Sequence, residues 1–175
     1  MARTLAGRGY LVLTYNRRGR CSTILGSCSS GVDDLAEHWK DVVGAYDFVR
    51  RTGATAIVLG GASIGAMATF HAVQRRDLPV AGVVWIGGVL DGEYRFDRRG
   101  VRRVTVPKLF ISARQDSYGG GEAARRMHRW SVAPKELMLV QDLGHGTDLF
   151  RAASEDRDEV EQRIVAFVAA ATTAR

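Results

Sequence analysis

Three residues of this 175-residue chain have types and settings that could do covalent chemistry together. Ser63 lies in Gly60-Gly61-Ala62-Ser63-Ile64-Gly65, directly after the apolar run Ala56-Ile57-Val58-Leu59 and directly before a helical pattern. A sharp strand-to-helix turn forces such a serine into a strained backbone conformation, and small neighbours such as Gly61 and Gly65 let the chain pass without clashes. The hydroxyl then projects at the positive end of the helix, where the N–H of Ile64 is the natural donor to an oxyanion. Asp116, in Ile111-Ser112-Ala113-Arg114-Gln115-Asp116, and His145, in Leu143-Gly144-His145-Gly146-Thr147, each follow a later apolar run. A serine hydroxyl attacks a carbonyl only when a base takes its proton, and a carboxylate that orients the imidazole supports that base.

Each member has a bland competitor. Glycine-rich turns are common in sheets with crossover helices, and this chain holds 20 glycines, so the segment around Ser63 alone is weak evidence. Asp116 competes with the reading of a surface turn aspartate, with Asp91 as the reserve acid. His38, His71 and His128 fall in helical patterns and read as structural or solvent-facing, which leaves His145 as the base. No His-Glu-x-x-His or similar metal spacing occurs, and neither a metal nor a cofactor is expected.

The elements that must position these residues alternate. Tyr10 to Tyr15 is an unbroken β-branched and aromatic run, the pattern of a strand buried on both faces of a parallel sheet. A Gly/Ser-rich loop follows from Asn16 to Gly31. From Asp33 to Arg51 apolar residues recur at helical spacing, with Asp33 and Asp34 placed to cap the helix. Further strands are expected at Ala56–Gly61, Val80–Gly87, Lys108–Ser112 and Glu136–Val140, and helices at Ile64–Arg76, Gly121–Trp130 and about Glu155–Ala170. Strand-helix alternation argues for an α/β architecture with a mostly parallel sheet and helices on both faces. Ser63, Asp116 and His145 then stand beyond the C-terminal ends of strands, the edge where such sheets place their sites.

Composition is that of one globular domain spanning 1–175: 46% hydrophobic and 25% charged residues. The net charge of +6 comes from scattered arginines without a lysine-rich tail or an aromatic-interleaved basic helix, so nucleic acid is not expected as a partner. Ile164 to Ala171, the longest apolar run, is far short of the roughly 20 residues of a membrane span, and no signal-peptide pattern opens the chain; no membrane partner and a cytoplasmic location are expected. Two cysteines, Cys21 and Cys28, read as reduced thiols in a loop, with a disulfide as the alternative.

The order Ser63, Asp116, His145 and their placement after successive strands resemble the α/β-hydrolase fold family, in its serine esterase and serine-aminopeptidase-like branch. Tyr15-Asn16-Arg17-Arg18-Gly19-Arg20 with Ser22 is similar to the family's loop after its fourth strand, interrupted here by Arg20 and Cys21, and Trp39 and Asp41 fall on the helix that follows. The resemblance implies a serine hydrolase that cleaves a small-molecule ester, amide or thioester through a Ser-His-Asp triad and an acyl-enzyme. It also implies strands ahead of Tyr10 and a His-Gly loop carrying a second oxyanion donor, neither of which is in this sequence. The expectation is a truncated α/β-hydrolase fold in which an unpaired strand favours homo-oligomers. The competing expectation is an inactive homologue acting as a binding or interaction module. Asp91 to Arg103 takes the place of the family's lid; its arginines Arg95, Arg98, Arg99, Arg102 and Arg103 read as a solvated basic loop, with selection of an anionic substrate as the alternative.

Overall fold

The computed structural model describes residues 1–21, 28–90, 94–151 and 153–173. It divides into two compact units, Met1–Thr55 and Ala56–Arg175.

The larger unit is built on four parallel strands, β1 (Val58–Ala62), β2 (Gly82–Ile86), β3 (Lys108–Ala113) and β4 (Lys135–Val140), in that spatial order. Helix α3 (Ile64–Arg76) follows β1, the short α4 (Arg98–Arg103) precedes β3, α5 (Gly120–Trp130) follows β3, and α6 (Arg157–Thr173) closes the chain. The smaller unit contributes α1 (Ala2–Ala6) and α2 (His38–Arg51). Every residue of β2 and β3 is buried, which requires cover on both faces and explains the apolar runs Val83–Ile86 and Leu109–Ile111 within them. Right-handed crossovers advancing in one direction put α3, α4 and α5 in a row on one face, where they touch one another; α6 reaches β1, β2 and β3 from the other. The core beneath the first row is aromatic. Phe70 of α3, Trp85 of β2 and Phe96 meet edge to face with centroids 5.6–6.0 Å apart. Among the described residues, no helix is long and apolar enough to cross a membrane.

Lys108 opens β3 with its side chain in the interior. Its ammonium donates to the carbonyl of Val104 at 2.9 Å and to that of Val106, and burial, with Lys135 nearby, pushes its pKa down to about 8.

The smaller unit departs from the sequence expectations in three places. Residues 10–15 form no strand, and Leu11, Leu13 and Tyr15 are exposed. A buried strand is defined by the neighbours that pair its backbone, and no ladder includes this segment. The helix expected from Asp33 begins at His38, after a 3-10 turn at Leu35–Glu37. Only Asp34 caps, accepting the N–H of Ala36 at 3.0 Å, because Asp33 is engaged by His38 Nε2 at 2.8 Å and by Arg17. The cysteines are not reduced thiols: Cys21 and Cys28 form a disulfide within an isolated antiparallel bridge. The loop that resembles the family's pattern is held by Arg18, which donates to Asp41 of α2 through Nε at 2.9 Å, Nη2 at 2.8 Å and its backbone N–H at 3.0 Å. Ser22 lies outside the described residues.

Candidate active site

Ser63 occupies the single residue between β1 and α3, with φ 53° and ψ −122°. Few non-glycine residues adopt positive φ, and the surrounding structure must hold one that does. Here the N–H of Ser63 donates to the carbonyl of Ile86 at 2.9 Å, while its own carbonyl accepts from Ala66 at 2.9 Å and Met67 at 3.2 Å. The turn is sharp enough that a Cβ on Gly61 would stand 2.3 Å from the carbonyl carbon and oxygen of Gly65. Gly61 is therefore glycine by necessity. Gly65 is not, because a Cβ there would meet nothing within 4 Å; its smallness was expected to matter, yet the close approach is made by its backbone. The N–H of Ile64 is the first of α3, ahead of any i to i−4 bond, and so belongs to the end groups that a helix leaves for other acceptors.

The structure brings the other two candidates to Ser63. His145 Nε2 is 2.8 Å from Ser63 Oγ, and His145 Nδ1 is 2.8 Å from Asp116 Oδ2. A carboxylate only accepts, so Nδ1 carries the ring proton and Nε2 is left to accept from the serine hydroxyl. The Asp116 side chain has no exposed surface and that of His145 is 17% exposed, so the Asp–His bond lies away from water while the Ser–His end is reachable. Asp116 is held in turn. Its Oδ1 accepts the N–H of Tyr118 at 2.9 Å, and Ser112 Oγ lies 3.5 Å from Oδ2. The tilted ring of Tyr118 packs against the imidazole with centroids 4.5 Å apart.

The remaining histidines do other things. His71 packs on Tyr94 at 4.8 Å and His128 edge-on to Phe110 at 6.3 Å, and burial lowers the pKa of both, with Arg75 and Lys135 respectively adding to it. His38 is bound to Asp33. The reserve acid, Asp91, lies outside the described residues. The five arginines are exposed. Gly100 of α4 packs against the amide of Gln74, near the far end of α3 and about 16 Å along the helix axis from the serine. Arg98, Arg99, Arg102 and Arg103 lie on that short helix, and their exposure suits a solvated basic face.

Sequence reasoning overlooked Tyr118, Ser112 and the pair Gly87 and Gly146. Gly87, at φ 54°, lets the His145 loop come down on the end of β2: a Cβ there would be 2.6 Å from the nitrogen of Gly146. Their signal in the sequence is position, since Gly87 follows the end of β2 and Gly146 follows the histidine.

The sequence matches no protein-family model and no curated protein sequence. The structure, in contrast, is similar to that of the Paleococcus ferrophilus monoacylglycerol lipase, with TM-score 0.69 and 15% identity over 83% of this chain and 79% of that one. The fold is that of the α/β-hydrolases. An esterase from Thermogutta terrifontis shares this α/β-hydrolase fold at TM-score 0.65 and 14% identity, over 90% of this chain and 79% of that one. A dienelactone hydrolase from Anabaena variabilis does so at TM-score 0.64 and 21% identity, over 78% and 61%.

Proposed function

We propose that the protein is a serine hydrolase acting through Ser63, His145 and Asp116 on an ester, amide or thioester. One observation carries the reading: Ser63 at φ 53° is joined to His145 and His145 to Asp116 by successive 2.8 Å contacts. A serine kept as a small turn residue needs no imidazole at hydrogen-bond distance, and no buried carboxylate behind that imidazole. In the proposed reaction the Ser63 hydroxyl attacks the acyl carbon as its proton passes to His145 Nε2. Asp116, bonded to Nδ1–H, holds the imidazole in the tautomer that can accept and stabilises the cation that results. The Ile64 N–H faces the oxyanion. The tetrahedral species collapses with Nε2 returning the proton to the leaving group, and water then repeats the sequence on the acyl-enzyme. The similarity in fold to a lipase and an esterase supports the same reaction class.

A second reading, an α/β-hydrolase fold acting as a binding module, is favoured by the oxyanion site, where the Ile64 N–H is the one donor assigned among the described residues. Loss of one oxyanion donor costs about 3 to 4 kcal/mol, a factor of hundreds in rate. Turnover of p-nitrophenyl acetate separates the two. The hydrolase reading expects slow turnover with an initial burst that Ser63→Ala abolishes; turnover identical in wild type and Ser63→Ala supports the binding module.

A further inference from the structure

Among the described residues of the larger unit, the large hydrophobic side chains left exposed are two, Tyr118 at 71% and Leu143 at 65%. Single exposed apolar residues are ordinary on any surface and would scatter. These two do not: Tyr118 is two residues beyond Asp116 and Leu143 two residues before His145. The Tyr118 ring covers one side of the imidazole, and its backbone N–H holds Asp116.

We infer that Tyr118 and Leu143 form the surface that receives the leaving group, and that the substrates are esters whose departing alcohol is alkyl or aryl rather than a polyol. The inference rests on the serine hydrolase reading above. In the acylation step the Ser63 Oγ–C bond forms, the C–O bond to the alcohol breaks, and the serine proton, carried on His145 Nε2, goes to the departing oxygen. That oxygen must come within about 2.6–3.2 Å of Nε2. Its carbon substituent then extends past the side of the imidazole that the Tyr118 ring covers, with Leu143 exposed two residues ahead of His145 on the same loop. An alkyl or aryl group laid there removes apolar surface from water on both partners, by about fourfold in affinity for each methylene covered. A hydroxylated group would give up its hydration against a phenyl ring and a leucine.

The test compares n-pentyl acetate with 2-ethoxyethyl acetate, which have equal chain length, while the ether alcohol is intrinsically the better leaving group. In the wild type kcat/KM should favour the pentyl ester at least about fourfold. Tyr118→Ser and Leu143→Ser each bring that ratio toward one, and Tyr118→Phe, which keeps the ring, retains it. Reaction of Ser63 with a fluorophosphonate is followed in every variant, so a misfolded protein is not mistaken for a change in selectivity. A wild-type ratio near one, or a ratio unchanged in both serine variants while Ser63 still reacts, overturns this inference alone. Absence of any reaction at Ser63 in the wild type overturns the hydrolase reading and this inference with it.

Discussion

Gly61 and Gly65 flank Ser63 almost symmetrically in sequence, yet the structure assigns them opposite tolerances to a methyl group. In Gly61→Ala the new Cβ would lie 2.3 Å from the carbonyl carbon and oxygen of Gly65 and 2.7 Å from the nitrogen of Ala66. Ordinary contact begins near 3.4 Å, so the first turn of α3 must retreat by about 1 Å, and all three atoms in the way are backbone that no rotamer change can move. Overpacking of this kind costs about 1–3 kcal/mol. The functional loss is larger. Ser63 Oγ moves with that turn, its 2.8 Å contact to His145 Nε2 opens beyond hydrogen-bond length, and a misplacement of about 1 Å costs roughly a hundredfold in rate. In Gly65→Ala the Cβ enters open space, and alanine gains up to about 1 kcal/mol over glycine in helix propensity. That is worth a rise in Tm of about 2–4 °C at this chain length. The assay is thermal unfolding with the rate of covalent reaction at Ser63. Gly61→Ala is expected to lower both and Gly65→Ala to leave the rate within a few-fold and the Tm equal or higher. Equal damage in the two variants would refute the account of the turn.

Three other perturbations follow from the same structure. Asp116→Asn replaces a buried acceptor by a group that can donate toward His145 and so favours the wrong tautomer. The single-turnover acylation rate should fall about 10⁴-fold, and a fall of less than tenfold contradicts the assigned role. Lys108 has its pKa lowered, so between pH 8 and its ordinary value of 10.5 the unfolded chain binds more protons and stability rises with pH by at most about 3 kcal/mol. Urea midpoints at pH 7.5, 9 and 10.5 should show that rise in the wild type and lose it in Lys108→Met; parallel curves contradict the burial of the ammonium. Alkylation with iodoacetamide followed by intact mass should add nothing to the native protein and two groups after reduction, because Cys21 and Cys28 are paired.

The elements of the larger unit were legible because their signals are local. Strands β2 and β3 are buried on both faces and announce it as apolar runs, and the turn that strains Ser63 leaves its mark in the residues around it. The segment Tyr10 to Tyr15 carries the same kind of apolar pattern and forms no strand, because pairing depends on a partner that a single segment does not encode. Where the arginines of α4 lie follows from a tertiary contact, Gly100 against Gln74 near the far end of α3, that their own segment does not announce. Tyr118 was invisible for a related reason. An exposed tyrosine in a loop looks like any other until the fold brings His145 beneath its ring.

If His145 activates Ser63, the rate of fluorophosphonate reaction at Ser63 depends on the imidazole. One equivalent of probe should be incorporated, peptide mapping should find it on Ser63, and His145→Ala should lower the rate by at least about a hundredfold while the protein stays folded. Incorporation at another residue, or a rate unchanged in His145→Ala, would contradict activation by His145.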